Sequence, residues 1–385
     1  MHIAMVGTRG VPARYGGFET AVEEVGRRLA ASGHRVTVYC RGGDPAQRTH
    51  LGMELVHRPA AQRKTLETLS HTARCLPHLL QTRPDATLMF NAANAPLLPA
   101  LRSARLPVAT HVDGLEWQRA KWAGAGRRYY QQAERLAVRW SDALIADAEG
   151  IAAHYRETHR AETVLLTYGA PLRTSLSPAP LDPLGLVKDG YHLVVARFEP
   201  ENHVREAVAA HVASRATMPL VVVGAAPYAD DYTREVERAA AGDPRVRMIG
   251  SVWDQDQLDA LYAHARTYVH GHSVGGTNPS LLRAAGAGAP VLARDVVFNR
   301  EVLGAHGRYW ATDAELAALL EEAEAHGDAA RSRGEAGQAE VVDRYDWDDV
   351  AQGYADLCRA LADGTAVPPR PRRRPRRGAP ARSGT

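Results

Sequence analysis

Two glycine-bearing stretches carry the residue types that bind phosphate through backbone N–H groups. The first is Gly7-Thr8-Arg9-Gly10, followed by Arg14-Tyr15-Gly16-Gly17-Phe18-Glu19. Gly16 and Gly17 stand where a helix should start, and the free N–H groups of a helix start favour an anion such as a diphosphate. The spacing differs from the G-x-G-x-x-G of dinucleotide enzymes, and the same glycines also suit an ordinary strand-to-helix turn. The second stretch is Gly275-Gly276-Thr277-Asn278-Pro279-Ser280-Leu281-Leu282. Asn278 suits an N-cap and Pro279 a first helical position, and the glycines ahead of them let a ligand approach the backbone closely.

Two further elements add side-chain chemistry. Arg197 ends an apolar strand and precedes Phe198-Glu199-Pro200-Glu201-Asn202. A permanent cation there is placed to neutralise a diphosphate, although arginines of this kind commonly form surface ion pairs. Thr110-His111-Val112-Asp113-Gly114-Leu115-Glu116-Trp117-Gln118-Arg119 puts a histidine, two acids and an aromatic ring at another strand end. Carboxylates accept hydrogen bonds from hydroxyls and the ring packs on C–H faces, a combination that suits a sugar. A strand end with a buried tryptophan and solvated acids reads equally well from this segment alone.

Strands alternating with helices position these groups. Strands are expected at His2–Val6, Val36–Cys40, Ala86–Phe90, Val108–Val112, Ala143–Ala146 and Thr163–Leu166. A second series runs through His192–Ala196, Leu220–Gly224, Val246–Ile249, Thr267–His270 and Val291–Ala293. Phe18, Ala21, Val22, Val25 and Leu29 recur at helical spacing after the first loop, and Gly33 stops that helix. Such alternation implies mostly parallel sheets with ligand sites at the carboxyl ends of the strands. The expected division is an N-terminal domain at 1–171, a linker at 172–190 and a C-terminal domain at 191–346. A terminal helix follows at 347–363, expected to pack back toward the N-terminal domain, and then a disordered Pro/Arg-rich tail at 364–385.

Composition narrows the class. A chain of 385 residues, 45% hydrophobic and 24% charged, has the balance of a globular enzyme with two domains. The net charge is +3, but seven arginines without an acid lie between Pro368 and Thr385, so the rest carries −4. That speaks against a nucleic-acid-binding body. Cys40, Cys75 and Cys358 lack metal-ligand spacing. Met1 leads directly into a strand pattern, with no charged n-region or bilayer-length apolar run, and the expected location is the cytoplasm.

With these elements in place, the sequence resembles the retaining glycosyltransferases of family 4, most closely their bacterial rhamnosyltransferase-like subgroup. The matching segments are Val6-Gly7-Thr8-Arg9-Gly10-Val11-Pro12 with Tyr15-Gly16-Gly17-Phe18-Glu19-Thr20, and Asp113-Gly114-Leu115-Glu116-Trp117 with Lys121-Trp122. Ala196-Arg197 with Glu199-Pro200-Glu201-Asn202, Ser273-Val274-Gly275-Gly276-Thr277-Asn278-Pro279-Ser280 and Phe298-Asn299-Arg300-Glu301-Val302 continue it. The resemblance implies an α/β chain of the GT-B fold, two Rossmann-like domains facing each other across a cleft. It implies a nucleoside-diphosphate sugar as donor, held by Gly16, Gly17, Asn202, Gly275, Gly276, Thr277, Asn278, Pro279, Ser280, Leu281 and Arg283. Asp113, Arg197 and Glu116 would be catalytic, with Asp113 where many relatives place a histidine. Arg9, Tyr15, Glu19, His111 and Trp117 would form the acceptor side. It implies no metal and no cofactor, because side chains and a helix dipole neutralise the leaving diphosphate. The acceptor would be a polysaccharide or lipid-linked glycan, and the subgroup suggests rhamnose as the sugar.

Two departures stand out. The wider family has a pair of glutamates at the positions of Gly275 and Arg283, so Arg283 reverses a charge one turn inside the expected phosphate-binding helix. Arg283 would either add a phosphate contact or mark impaired donor binding, which makes a catalytically impaired sugar-nucleotide-binding scaffold the alternative reading. Asn202 takes the place of a lysine. An NAD enzyme is disfavoured by the loop spacing and because Arg41, not an acid, follows the second strand. Six arginines between Arg370 and Arg377 could attract anionic lipid headgroups, giving a peripheral place at the inner face of the plasma membrane.

Overall fold

The structure is a computed structural model. It describes residues 1–13, 16–61, 66–112, 114–119, 122, 124–173, 176–225 and 230–370, and the statements below concern these.

The N-terminal unit is built on β1 (His2–Val6), β2 (Arg35–Cys40), β3 (Thr49–His50), β4 (Met53–His57), β5 (Ala86–Phe90), β6 (Val108–His111), β7 (Ala143–Ala146) and β8 (Val164–Leu165). Their order is β3-β4-β2-β1-β5-β6-β7-β8, parallel throughout except for the β3–β4 pair. Helices α1 (Gly17–Ala31), α2 (Glu67–Thr82), α3 (Leu98–Ser103), α4 (Ala125–Trp140) and α5 (Glu149–His159) complete the unit. Burial on both faces explains why β7, β1 after His2, and β5 apart from Thr87 read as apolar runs. At Gly7 the backbone has φ +106, and a Cβ there would collide with the Phe90 carbonyl, so the loop after β1 can lie against β5 only with glycine.

The C-terminal unit has β9 (His192–Val195), β10 (Leu220–Val223), β11 (Val246–Gly250), β12 (Thr267–His270), β13 (Val291–Arg294) and β14 (Arg308–Trp310). All neighbours are parallel in the order β11-β10-β9-β12-β13-β14. Its helices are α6 (Val204–Ala213), α7 (Asp230–Ala240), α8 (Gln255–Ala263), α9 (Pro279–Gly286), α10 (Val297–Leu303), α11 (Asp313–Ala325) and α12 (Gly327–Arg344). The last helix, α13 (Trp347–Ala362), returns to the N-terminal unit, where Asp348 pairs with Arg28 of α1 at 2.5 Å.

Four features differ from the sequence reading. The β3–β4 hairpin and the edge strand β14 were not expected. The hairpin turns through Leu51 and Gly52, both at positive φ, the geometry a two-residue turn requires. The segment expected as a plain linker holds a short helix at Ala179–Leu184 and seats Leu181 and Leu186 in the core. The tail does not leave the body at Gly364: the Pro369 carbonyl accepts from the Glu162 amide at 3.0 Å, and Arg370 Nε donates to the His159 carbonyl at 2.9 Å. Backbone pairing with the body orders these residues without an apolar core of their own. The remaining tail, 371–385, lies outside the described residues.

Candidate functional site

Both glycine motifs lie at carboxyl ends of strands, and the fold brings them together. A Cβ placed on Gly17, the first residue of α1, would stand 3.2 Å from Pro279 Cγ at the start of α9 and 3.2 Å from Tyr168 Oη. The two helix starts therefore meet between the units. Asn278 caps α9 as its sequence implies, accepting from the Ser280 amide at 2.9 Å. Ser280 Oγ donates to the same Asn278 oxygen and lies 3.0 Å from Tyr268 Oη. The Leu281 amide has no acceptor among the described residues, so the positive end of α9 keeps an N–H for an anion.

The rest of the second motif touches the N-terminal unit. Thr277 Oγ1 donates to the Asp147 carbonyl at 2.6 Å. A Cβ on Gly114 would lie 2.5 Å from the Gly275 carbonyl carbon and 2.9 Å from Gly276 N. Any side chain at Gly114 would force the units apart.

Charge is concentrated on one rim. Glu116, 8% exposed, accepts from Trp122 Nε1 at 3.1 Å and pairs with Arg119 at 2.5 Å. Arg119 also reaches across to Glu201 at 3.3 Å and Glu199 at 3.6 Å. Arg197 pairs with Glu199 at 3.4 Å, with its side chain half exposed. His111 stacks on Phe90 at 5.6 Å and meets Phe18 edge-on at 4.9 Å. Burial pushes its pKa down to about 3, so the ring is neutral at physiological pH. Behind the second motif, His270 and His272 stack at 4.5 Å. Loss of solvation holds both below the ordinary histidine value, His270 at about 3.

Known proteins decide what this cleft belongs to. A family model described as glycosyl transferase 4-like domain matches residues 16–169, and one described as glycosyl transferases group 1 matches residues 191–325. The chain belongs to the glycosyltransferases. Its fold is GT-B: sucrose-phosphate synthase from Thermosynechococcus elongatus superposes with TM-score 0.81 at 20% identity, over 94% of this chain and 99% of that one. The Anabaena protein HepE, solved with UDP and glucose, gives TM-score 0.75 at 18% identity over 94% of this chain and 100% of its own. The O-antigen chain mannosyltransferase B of Escherichia coli is 30% identical over 126 residues, which is 32% of this chain. That match spans 33% of the relative's own length.

In this glycosyltransferase, several residues expected at the donor have other partners. Arg283 is turned to α8: its Nε donates to Asp259 Oδ1 at 2.6 Å and its Nη1 to Gln255 Oε1 at 2.9 Å. Its Nη2 donates to the Gln255 carbonyl at 3.2 Å. With every nitrogen engaged, the expected added phosphate contact does not fit this arrangement. Asn202 is 3% exposed and donates to the Arg197 carbonyl at 2.8 Å, so its side chain shapes the turn beneath Arg197. On the acceptor side, Glu19 accepts from the Arg9 amide at 2.9 Å, and the Arg9 guanidinium lies 3.6 Å from Glu67. Trp117 lies under Arg127, 5.7 Å from its ring centroid. Asp113 and Tyr15 fall outside the described residues.

Sequence reasoning missed Asp147 and Tyr168 in this glycosyltransferase, and named Glu301 only within a matching segment, without a role. Glu301 accepts from the Glu149 amide at 2.6 Å and the Gly150 amide at 3.3 Å, so a carboxylate of one unit caps α5 of the other. Asp147 carries the signal of an acid just past an apolar strand.

Proposed function

We propose that the chain moves a hexosyl unit from a nucleoside-diphosphate sugar to a hydroxyl of a polysaccharide or lipid-linked glycan, with retention of configuration and without a metal. The observation that carries this reading is the meeting of two helix starts, Gly17 and Pro279, in one cleft with Arg197 half exposed on its rim. As the anomeric carbon–oxygen bond lengthens, negative charge gathers on the departing diphosphate. Arg197 and the positive end of α9 are the groups to hold it, prepared before the bond breaks. The acceptor hydroxyl attacks from the same face as the leaving group. Neutral His111 serves as a hydrogen-bonding wall rather than an acid. HepE, crystallised with UDP and glucose, supports a nucleotide-sugar donor. For the sugar, the subgroup resemblance favours rhamnose, and the mannosyltransferase likeness makes mannose the competitor to test.

The test is calorimetry of dTDP, UDP, GDP and NAD with the purified chain in EDTA, followed by turnover with the matching sugar nucleotides. Micromolar binding of one diphosphate without metal is expected. Binding of none sinks the reading, whereas binding without turnover favours the sugar-nucleotide-binding scaffold, which Arg283 in place of the family's acid motivates. Turnover by the wild-type chain removes that alternative.

No helix among the described residues is long and apolar enough to cross a membrane. The reading places the chain in the cytoplasm, with the arginine tail at an anionic inner membrane face, each residue near the surface adding about 1 kcal/mol. Truncation after Arg370 keeps the docked segment and removes six arginines. It should abolish co-sedimentation with anionic vesicles, and unchanged binding would discard the tail's role.

A further inference from the structure

We propose that Glu134, His154 and His159 bind a divalent transition ion such as zinc, at a site apart from the donor cleft. Glu134 lies on α4 and both histidines on α5, and one ligand atom of each falls within 4.8 Å of the others. His159 Nε2 is 3.3 Å and His154 Nε2 3.7 Å from the same carboxylate oxygen. Ligands on a tetrahedral zinc with bonds of about 2.0–2.2 Å sit about 3.3–3.6 Å apart. Two edges of the tetrahedron are thus nearly set, and a rotation of the rings closes the third.

An imidazole–carboxylate hydrogen bond would account for His159 alone. It does not account for His154, whose Nε2 is buried without a hydrogen-bond partner among the described residues. The other nitrogen, Nδ1, lies 3.4 Å from Thr158 Oγ1. A proton on Nδ1 directed at that hydroxyl leaves the Nε2 lone pair for a metal, the outer-shell arrangement that ligating histidines use. Glu134 is 7% exposed, and no lysine or arginine among the described residues reaches it. A buried carboxylate without a full counter-charge is costly, and a dication supplies that charge.

Two imidazoles and one carboxylate leave a fourth position open. His159 lines a cleft of about 600 Å³ together with Arg102, Arg135, Arg139 and Arg370. The arginines of this cleft favour an anion such as inorganic phosphate as the fourth ligand. The His154 ring centroid also lies 6.5 Å from that of Trp117, on the expected acceptor loop.

The test uses the full, untagged chain titrated with cobalt(II), then with zinc. One equivalent of cobalt with the intense visible bands of tetrahedral coordination, displaced by zinc, is expected. Losing a ligand in His154→Ala or Glu134→Gln should weaken zinc by more than the 10–100-fold that outer-shell changes cost. Absence of the cobalt bands overturns the proposal, as does zinc uptake unchanged in His154→Ala. The cobalt spectrum needs only the wild-type chain, so a variant that fails to fold leaves the test intact.

Discussion

Arg283→Glu restores the acid of the wider family, and on sequence grounds it should repair a donor site. The structure predicts the opposite. The Asp259 side chain is only 3% exposed, and its oxygens take Arg283 Nε at 2.6 Å and Arg173 Nε at 2.8 Å. Removing one partner of a buried ion pair costs about 3–5 kcal/mol, because the remaining charge is left without compensation. Arg173 stays, which favours the lower end, while a new glutamate beside Asp259 adds repulsion. At about 2–4 °C per kcal/mol for a unit of this size, a loss near 3 kcal/mol lowers Tm by about 6–12 °C. Thermal unfolding followed by circular dichroism reads this directly. Asp259→Asn combined with Arg283→Glu removes the new repulsion and should recover part of the loss, and the double-mutant cycle isolates the coupling. If Arg283→Glu is within about 0.5 kcal/mol of wild type, or raises turnover, the reasoning is wrong.

Three further outcomes are expected. Gly114→Ala sets a methyl against the Gly275–Gly276 backbone and should cut kcat/KM by about a hundredfold, since misplacement by 1 Å is enough for that; an unchanged value would show that the units need not meet there. Arg197→Ala should lower kcat by about 10²–10³-fold, as loss of a transition-state charge partner does, and steady-state kinetics with binding held by calorimetry separates this from weaker donor affinity. His111 has a folded pKa of about 3 against an ordinary 6.5, so its contribution is complete above pH 6.5 and declines as pH falls toward 3. Each unit below 6.5 costs about 1.4 kcal/mol, and His111→Phe should flatten that part of the stability–pH curve measured by urea unfolding.

What sequence alone determined was local. Apolar runs became the inner strands because a parallel sheet buries both faces, and Asn278-Pro279 started α9 because a cap and its helix are neighbours in the chain. The two-domain rhythm and the glycine loops were legible for the same reason. Short edges were not: β14 is three residues long, and its pairing with β13 comes from a partner 16 residues away. The site's partnerships were less legible still. Arg119 meets Glu201 across 82 residues, Thr277 meets Asp147 across 130, and Arg283 finds Asp259 on another helix. A charge in a sequence shows what it can bind, but only packing selects which of many opposite charges stands beside it. Arg283 therefore read as either a phosphate contact or a donor-site defect from its position, and as half of a buried ion pair once α8 was laid against α9.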